Sequence, residues 1–244
     1  MRYRNIIISP HIDDAFFSLG GLLLKDRGKR QKVVDIFSIS GFHKLKLNDV
    51  KKVTQIRRRE EMINAKRLGV DVDFLPFRDR EEAKSGGEAK LAERIRRSLA
   101  RYVREGDRIF FPLAIGDHAD HNLVSRIALG MLKSAGGRIY FYEDLPYAMK
   151  TTLLWRFIRP FVNFRNSAPT FPLIDTRAHA ADLECEYTPI DLNGKLDLCR
   201  AYESQTTIKI LLSIIYYGLT LGSRERVWRV KNYTYAESLL KRRK

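Results

Sequence analysis

Five short apolar runs, at about 4–9, 32–38, 71–75, 107–112 and 138–142, alternate along the chain with five stretches of helical spacing, at about 15–26, 50–68, 88–104, 120–134 and 194–204. The runs are rich in β-branched and aromatic residues, as in Ile6-Ile7-Ile8 and Ile109-Phe110-Phe111, which is the composition of strands buried on both faces. Strands that alternate with helices lie parallel, with the helices packed over the sheet. The expected fold is therefore α/β and Rossmann-like, a mostly parallel sheet with helices on both faces. Residues 183–190 supply a candidate edge strand. A chain of 244 residues with 44% hydrophobic content buries a sizeable core, and no Gly/Ser linker, low-complexity tract or internal repeat divides it. One domain over 1–244 is expected, with a basic, aromatic C-terminal lobe at about 150–244.

Open parallel sheets bind ligands in the crevice outside the carboxyl ends of their strands. Three of the five histidines fall there, in two acidic motifs. Ser9-Pro10-His11-Ile12-Asp13-Asp14 follows the first run, and Gly116-Asp117-His118-Ala119-Asp120-His121 follows the fourth. His11 and Asp14 are three apart, as are His118 and His121, so a chain turning into a helix brings each pair together while Asp13 points elsewhere. Imidazole nitrogens and carboxylate oxygens suit zinc, and catalytic zinc sites commonly use three protein ligands plus a water. Zinc lowers the pKa of such a water from about 15.7 to about 7, and a nearby unligated carboxylate can take its proton during attack on a carbonyl. Either motif alone is matched by a surface turn or a helix cap. Together, each behind a strand, they point to a metal site in two halves.

These residues carry a resemblance. Ser9 through Ala15 with Gly20-Gly21 resembles the amino-terminal signature of the LmbE-like (PIG-L) family of zinc-dependent N-acetylsugar deacetylases, and His118-Ala119-Asp120-His121 resembles its second signature. Arg58-x-x-Glu61-x-x-x-Ala65-x-x-Leu68-Gly69-Val70 is similar to the family's second helix, Tyr142 through Tyr147 to a later strand end, and Lys195 through Tyr202-x-Ser204-Gln205 to its carboxyl-terminal helix. The resemblance covers about residues 4 to 205, with its motifs in the family's order. It implies His11, Asp14 and His121 as metal ligands, Asp13 as general base, and His118 as the group that assists the tetrahedral intermediate. Asp120 is placed either as a partner orienting His118 or as a helix-start carboxylate. Arg58 matches a family arginine near the substrate, with a solvated helix face as the competing reading and the register open within Arg57-Arg58-Arg59. The chain departs from the common pattern at Ile12, where proline is frequent, and at Ala15, where glutamate is frequent; neither removes a ligand. Tyr142 and Asp144 end the fifth run and are candidate substrate contacts, against a core aromatic and a turn cap. His43 follows Ser38-Ile39-Ser40-Gly41-Phe42 at another strand end and is a candidate pocket-lining residue, His179 has no supporting motif, and neither is assigned a role.

The implied activity is removal of an N-acetyl group from an amino sugar conjugate of N-acetylglucosamine type, with Zn2+, or Fe2+ or Co2+, which suit the same ligands. The same centre would serve an esterase or phosphoesterase, and a non-catalytic polyanion-binding protein is a further alternative. The net charge of +16 attracts polyanions in general, but no helix-turn-helix, zinc-finger or stacking-aromatic signature accompanies it, which argues against nucleic acid. Segments 153–165 and 208–221 are apolar but shorter than the roughly 18–20 residues that span a bilayer. They fit core, a homo-oligomer contact, or an anionic membrane surface serving a lipid-linked or nucleotide-linked sugar. Cys185 and Cys199 form no Cys-x-x-Cys pair, and sparse cysteine with no evident secretory signal fits a reducing cytoplasm, so a cytoplasmic location is expected, with a peripheral membrane position open.

Overall fold

The computed structural model describes residues 2–41, 43–44, 46–47, 49–79, 87–116, 118–136, 138–151 and 182–231. Segment 153–165, Asp117, His179 and the basic tail at 241–244 lie outside the described residues. Among the described residues, seven strands form one sheet in the order β3-β2-β1-β4-β5-β7-β6. They are β1 Tyr3–His11, β2 Gln31–Phe37, β3 Val70–Phe74, β4 Gly106–Pro112, β5 Ile139–Tyr142, β6 Leu183–Pro189 and β7 Arg224–Val230. β1 to β5 pair in parallel, while β7 runs antiparallel to both β5 and β6. The candidate edge strand is thus at the edge, but β7 separates it from β5.

Helices α1 Asp14–Lys25, α2 Val50–Leu68, α3 Glu88–Glu105 and α4 Ala119–Ala135 are the crossovers between successive parallel strands. With right-handed crossovers, the reversal of strand order at β1 puts α1 and α2 on one face and α3 and α4 on the other. Ile6, Ile7 and Ile8 are fully buried, as a strand covered on both faces requires. The reversal opens a crevice between the carboxyl ends of β1 and β4, where both histidine motifs begin.

The candidate C-terminal helix at 194–204 is shorter and earlier: α5 spans Leu192–Arg200, and a turn carries Tyr202 to Gln205. The apolar stretch at 208–221 is α6, Ile208–Thr220. It buries Ser213, Ile214, Tyr217 and Gly218 and leaves Ile208, Leu212 and Leu219 exposed. No helix among the described residues is long and apolar enough to cross a membrane.

Helix α1 breaks at Leu19, whose φ of −121° and ψ of 21° are not helical. The freed amides of Gly21 and Leu22 donate to the Glu225 carboxylate of β7 at 2.7 and 2.8 Å. Lys195 Nζ of α5 donates to the Ser18 carbonyl at 3.1 Å and to Glu225 at 2.6 Å. A buried ion pair thus replaces the missing helical hydrogen bonds on both sides of the kink, as buried backbone groups require. This fixes the helix whose first residue is Asp14.

Candidate metal centre

His11 is the last residue of β1, Asp14 the first of α1, and His121 lies in the first turn of α4. These three expected ligands converge. His11 Nδ1 is 3.3 Å from Asp14 Oδ2, His121 Nε2 is 3.1 Å from the same oxygen, and the two ring nitrogens are 3.3 Å apart. Tetrahedral donors at zinc distances of about 2.0–2.1 Å have edges of about 3.3 Å, so the triangle fits a divalent cation. A looser set, one nitrogen each from His11, His118 and His121, lies within 4.8 Å. The carboxylate-containing triangle is the tighter cradle.

Each histidine of the triangle is held through its other nitrogen. His11 Nε2 lies 2.9 Å from Asp120 Oδ2, and His121 Nδ1 lies 2.6 Å from Asp144 Oδ1. Asp144 Oδ2 also accepts from the Ile115 amide at 3.0 Å. Carboxylate partners of this kind set ring orientation and ligand basicity. Burial opposes charge on the two rings, yet Asp120 and Asp14 outweigh it at His11, and Asp14 and Asp144 outweigh it at His121, so both stand above the ordinary histidine value. Burial pushes the Asp14 carboxyl up, but the two imidazoles prevail and hold it well below the usual range. The surplus of carboxylate that keeps protons on these rings also favours a cation in their place, so metal uptake would release protons.

Asp13 stands beside the triangle in a backbone conformation that side chains rarely adopt, φ 111°. Burial raises its carboxyl to about 7, while the Arg57 guanidinium, 3.5 Å away, pulls the other way. His118 precedes α4, its ring edge-on to His11 with centroids 4.9 Å apart. Burial and the neighbouring imidazoles of His11 and His121 push it down to about 4, so its ring is neutral at neutral pH.

A cleft of roughly 580 Å³ opens over these groups, within the range of small-molecule sites. Its lining includes the charged Lys44, Arg57, Arg78 and Asp79, the apolar Leu145, Pro146 and Tyr147, and Gln205, Thr207 and Ile210.

Four expected roles are corrected. Asp120 lies in the first turn of α4, as its helix-start alternative has it, but not as a partner of His118: it sits 3.9 Å from His118 Nδ1, beyond hydrogen-bond reach, and 2.9 Å from His11 Nε2. Arg58 does not line the cleft; it donates to Ser38 Oγ at 2.7 Å and covers the Phe74 ring. Arg57 faces the site in its stead, buried, with Nη1 donating to Ser40 Oγ at 2.8 Å. The spacing of Val53, Arg57, Glu60, Glu61, Asn64 and Leu68, one face of a helix, was the available signal. Tyr142 is fully buried and donates to the Ile8 carbonyl at 3.1 Å. Asp144 is buried behind His121 and so supports a candidate ligand where a substrate contact was expected. His43 is buried in the loop after β2 and does not line the cleft. Tyr147 and Gln205 close two of the motifs quoted above, but their place at the cleft had no signal of its own, and Lys44 and Arg78 had none, because the loops that carry them have no periodicity.

Residues 6–132 match the family described as PIG-L: GlcNAc-PI de-N-acetylase. The chain is 30% identical over 163 residues to the 2'-N-acetylparomamine deacetylase of Streptomyces fradiae, a match covering 60% of this chain and 58% of that enzyme. Among solved structures it is similar to an A40926 pseudoaglycone deacetylase, with a TM-score of 0.67 at 20% identity, covering 96% of this chain and 99% of that one. It is also similar to the zinc-inhibited form of a teicoplanin deacetylase, with a TM-score of 0.65 at 18% identity, covering 93% and 97%. At these identities the solved structures bear on the fold.

Proposed function

The chain belongs to the PIG-L family, and from that premise we propose that it is a metal-dependent amide hydrolase. Its substrate is an N-acetylated amino sugar conjugate of N-acetylglucosamine type, and its products are acetate and a free amine. The donor triangle of His11 Nδ1, Asp14 Oδ2 and His121 Nε2, with edges of 3.1–3.3 Å, carries the reading. Zinc, or iron or cobalt, suits this donor set, and such a cation supplies Lewis acidity that acidifies a water and polarises a carbonyl.

The remaining work falls to the chain's own residues. Asp13 takes the proton of the attacking water, and a carboxyl raised to about 7 is basic enough to do so near neutral pH. As the carbon–oxygen bond forms, charge gathers on the former carbonyl oxygen, and neutral His118 is the candidate donor to it. When the carbon–nitrogen bond breaks, the amine needs one proton, and Asp13 holds the one it took. Asp120 and Asp144 keep the two ligand imidazoles in place throughout.

Purified protein, metal analysis and acetate release from N-acetylglucosamine conjugates test the reading together. Asp13→Ala is expected to keep its metal and lose at least about a thousandfold in turnover, whereas His121→Ala loses both. Metal and activity retained in both variants would overturn it. Acid released from esters with N-acetyl groups untouched would move the assignment to an esterase on the same centre.

A further inference from the structure

The strand that leads to Asp144 runs out before it. β5 ends at Tyr142, and its ladder with β7 joins Phe141 to Trp228 and Tyr142 to Val227. Beyond that point a side chain takes over from the backbone. The Glu143 carboxylate accepts from Tyr217 Oη at 2.6 Å and from Arg226 Nη2 at 3.0 Å through Oε2, and from Trp228 Nε1 at 2.9 Å through Oε1. Arg226 and Trp228 flank Val227 in β7, and Tyr217 belongs to α6. On the other side of Asp144, the Leu145 amide donates to Ser18 Oγ of α1 at 3.1 Å. Asp144 is thus strung between two anchored neighbours, one tied to β7 and α6 and the other to α1.

Glu143, Asp144 and Tyr217 are buried, so these donors and acceptors have little water to fall back on and hold their geometry firmly. Asp144 spends that geometry on His121, whose Nδ1 lies 2.6 Å from its Oδ1. The Ile115 amide, 3.0 Å from Oδ2, orients the same carboxylate. Both contacts require the backbone of Asp144 to stay where Glu143 and Leu145 put it. Glu143 does not line the cleft, so its route to the centre runs through its neighbour.

We propose that Glu143 is a positioning residue of the metal centre: by pinning the end of β5 to β7 and α6 it sets Asp144 against His121, and so raises the affinity for the cation. The inference rests on the metal-dependent reading above and extends it beyond the carboxylates that touch the ligand histidines. Full-length protein is stripped of metal and titrated with Zn2+ against a chromophoric chelator, then assayed for acetate release and thermal stability. Glu143→Gln puts an amide among three donors and is expected to weaken zinc binding about three- to tenfold, less than the roughly 10–100-fold of a direct partner, with kcat at saturating metal within about threefold. Tyr217→Phe, which removes one donor, should weaken it less. In the Asp144→Asn background, Glu143→Gln should add less than about twofold, because its route to His121 is already cut. If Glu143→Gln does not fold, Tyr217→Phe combined with Trp228→Phe takes its place in both backgrounds. A lower thermal midpoint with zinc affinity unchanged, or an equal loss of affinity in both backgrounds, overturns the positioning role and leaves the hydrolase intact. Zinc bound by the wild type without acetate released, with the double-mutant result as expected, overturns the hydrolase and leaves the role of Glu143 standing. A wild type that binds no zinc overturns both.

Discussion

Arg57 Nη2 donates to the Ile12 carbonyl at 2.5 Å and stands 3.5 Å from Asp13 Oδ2, so one buried guanidinium holds both the proposed base and the peptide before it. Asp13 needs that hold, because φ 111° costs a non-glycine residue on the order of 1–3 kcal/mol unless its surroundings enforce it. Arg57→Leu removes the enforcing contact and the positive charge together. We expect kcat/KM to fall about a hundredfold or more and stability to drop by about 3 kcal/mol, since a buried partner is left unpaired. Burial already raises the Asp13 carboxyl, and losing the opposing guanidinium raises it further. The acidic limb of the pH–rate profile should therefore move to higher pH in Arg57→Leu; an unmoved limb would separate Arg57 from Asp13.

The carboxylates behind the ligand histidines give a second expectation. Asp144→Asn keeps the shape of the residue but replaces the charged acceptor 2.6 Å from His121 Nδ1. Metal affinity should fall by about 10–100-fold, read by competition against a chromophoric chelator. Asp120→Asn should act likewise through His11, 2.9 Å away. An effect of Asp120→Asn on turnover alone, with metal affinity kept, would return Asp120 to His118.

Most of the parallel sheet was legible because its strands are apolar on both faces and its helices have a single buried stripe. β7 was not, since Arg224-Glu225-Arg226-Val227-Trp228-Arg229-Val230 places a glutamate on its inward face, where alternation is expected to show an apolar residue. Glu225 points inward because the broken turn of α1 supplies it with two amides and Lys195, a partnership that no local pattern encodes. The same limit separates the site's centre from its rim. His11, Asp14 and His121 were readable because short spacings behind strands bring them together, whereas Asp120 near His11 and Arg57 near Asp13 are tertiary contacts across 109 and 44 positions.

Glu61 gives a pH dependence of stability. It is fully buried, and burial raises its carboxyl to about 8, although the hydrogen bond from Tyr202 works against the rise. In the unfolded chain the group titrates near about 4.3, so between the two values the folded protein holds the extra proton. Its stabilising share is complete below the unfolded value and is lost as pH rises toward 8. Wild-type thermal midpoints should therefore decline between about pH 5 and pH 8, and Glu61→Gln, which still accepts from Tyr202, should flatten that decline. Parallel curves for the two proteins would remove Glu61 as the cause.

Two glycines of helices should respond to alanine in opposite directions. At Gly21 an added Cβ would lie 2.1 Å from Ile190 Cγ2 and 2.9 Å from Glu225 Oε1, inside the junction where α1 is held at its kink. Gly21→Ala should destabilise by about 1–3 kcal/mol or more, the usual range for overpacking, and the displaced Glu225 would loosen the Gly21 and Leu22 amides as well. At Gly130, within α4, an added Cβ meets nothing within 4 Å. Alanine there reduces the freedom of the unfolded chain and suits a helix interior better, so Gly130→Ala should stabilise by about 0.5–1 kcal/mol. Urea unfolding of both variants decides the matter: a neutral Gly21→Ala would mean that the kink in α1 yields easily, and with it the placement of Asp14.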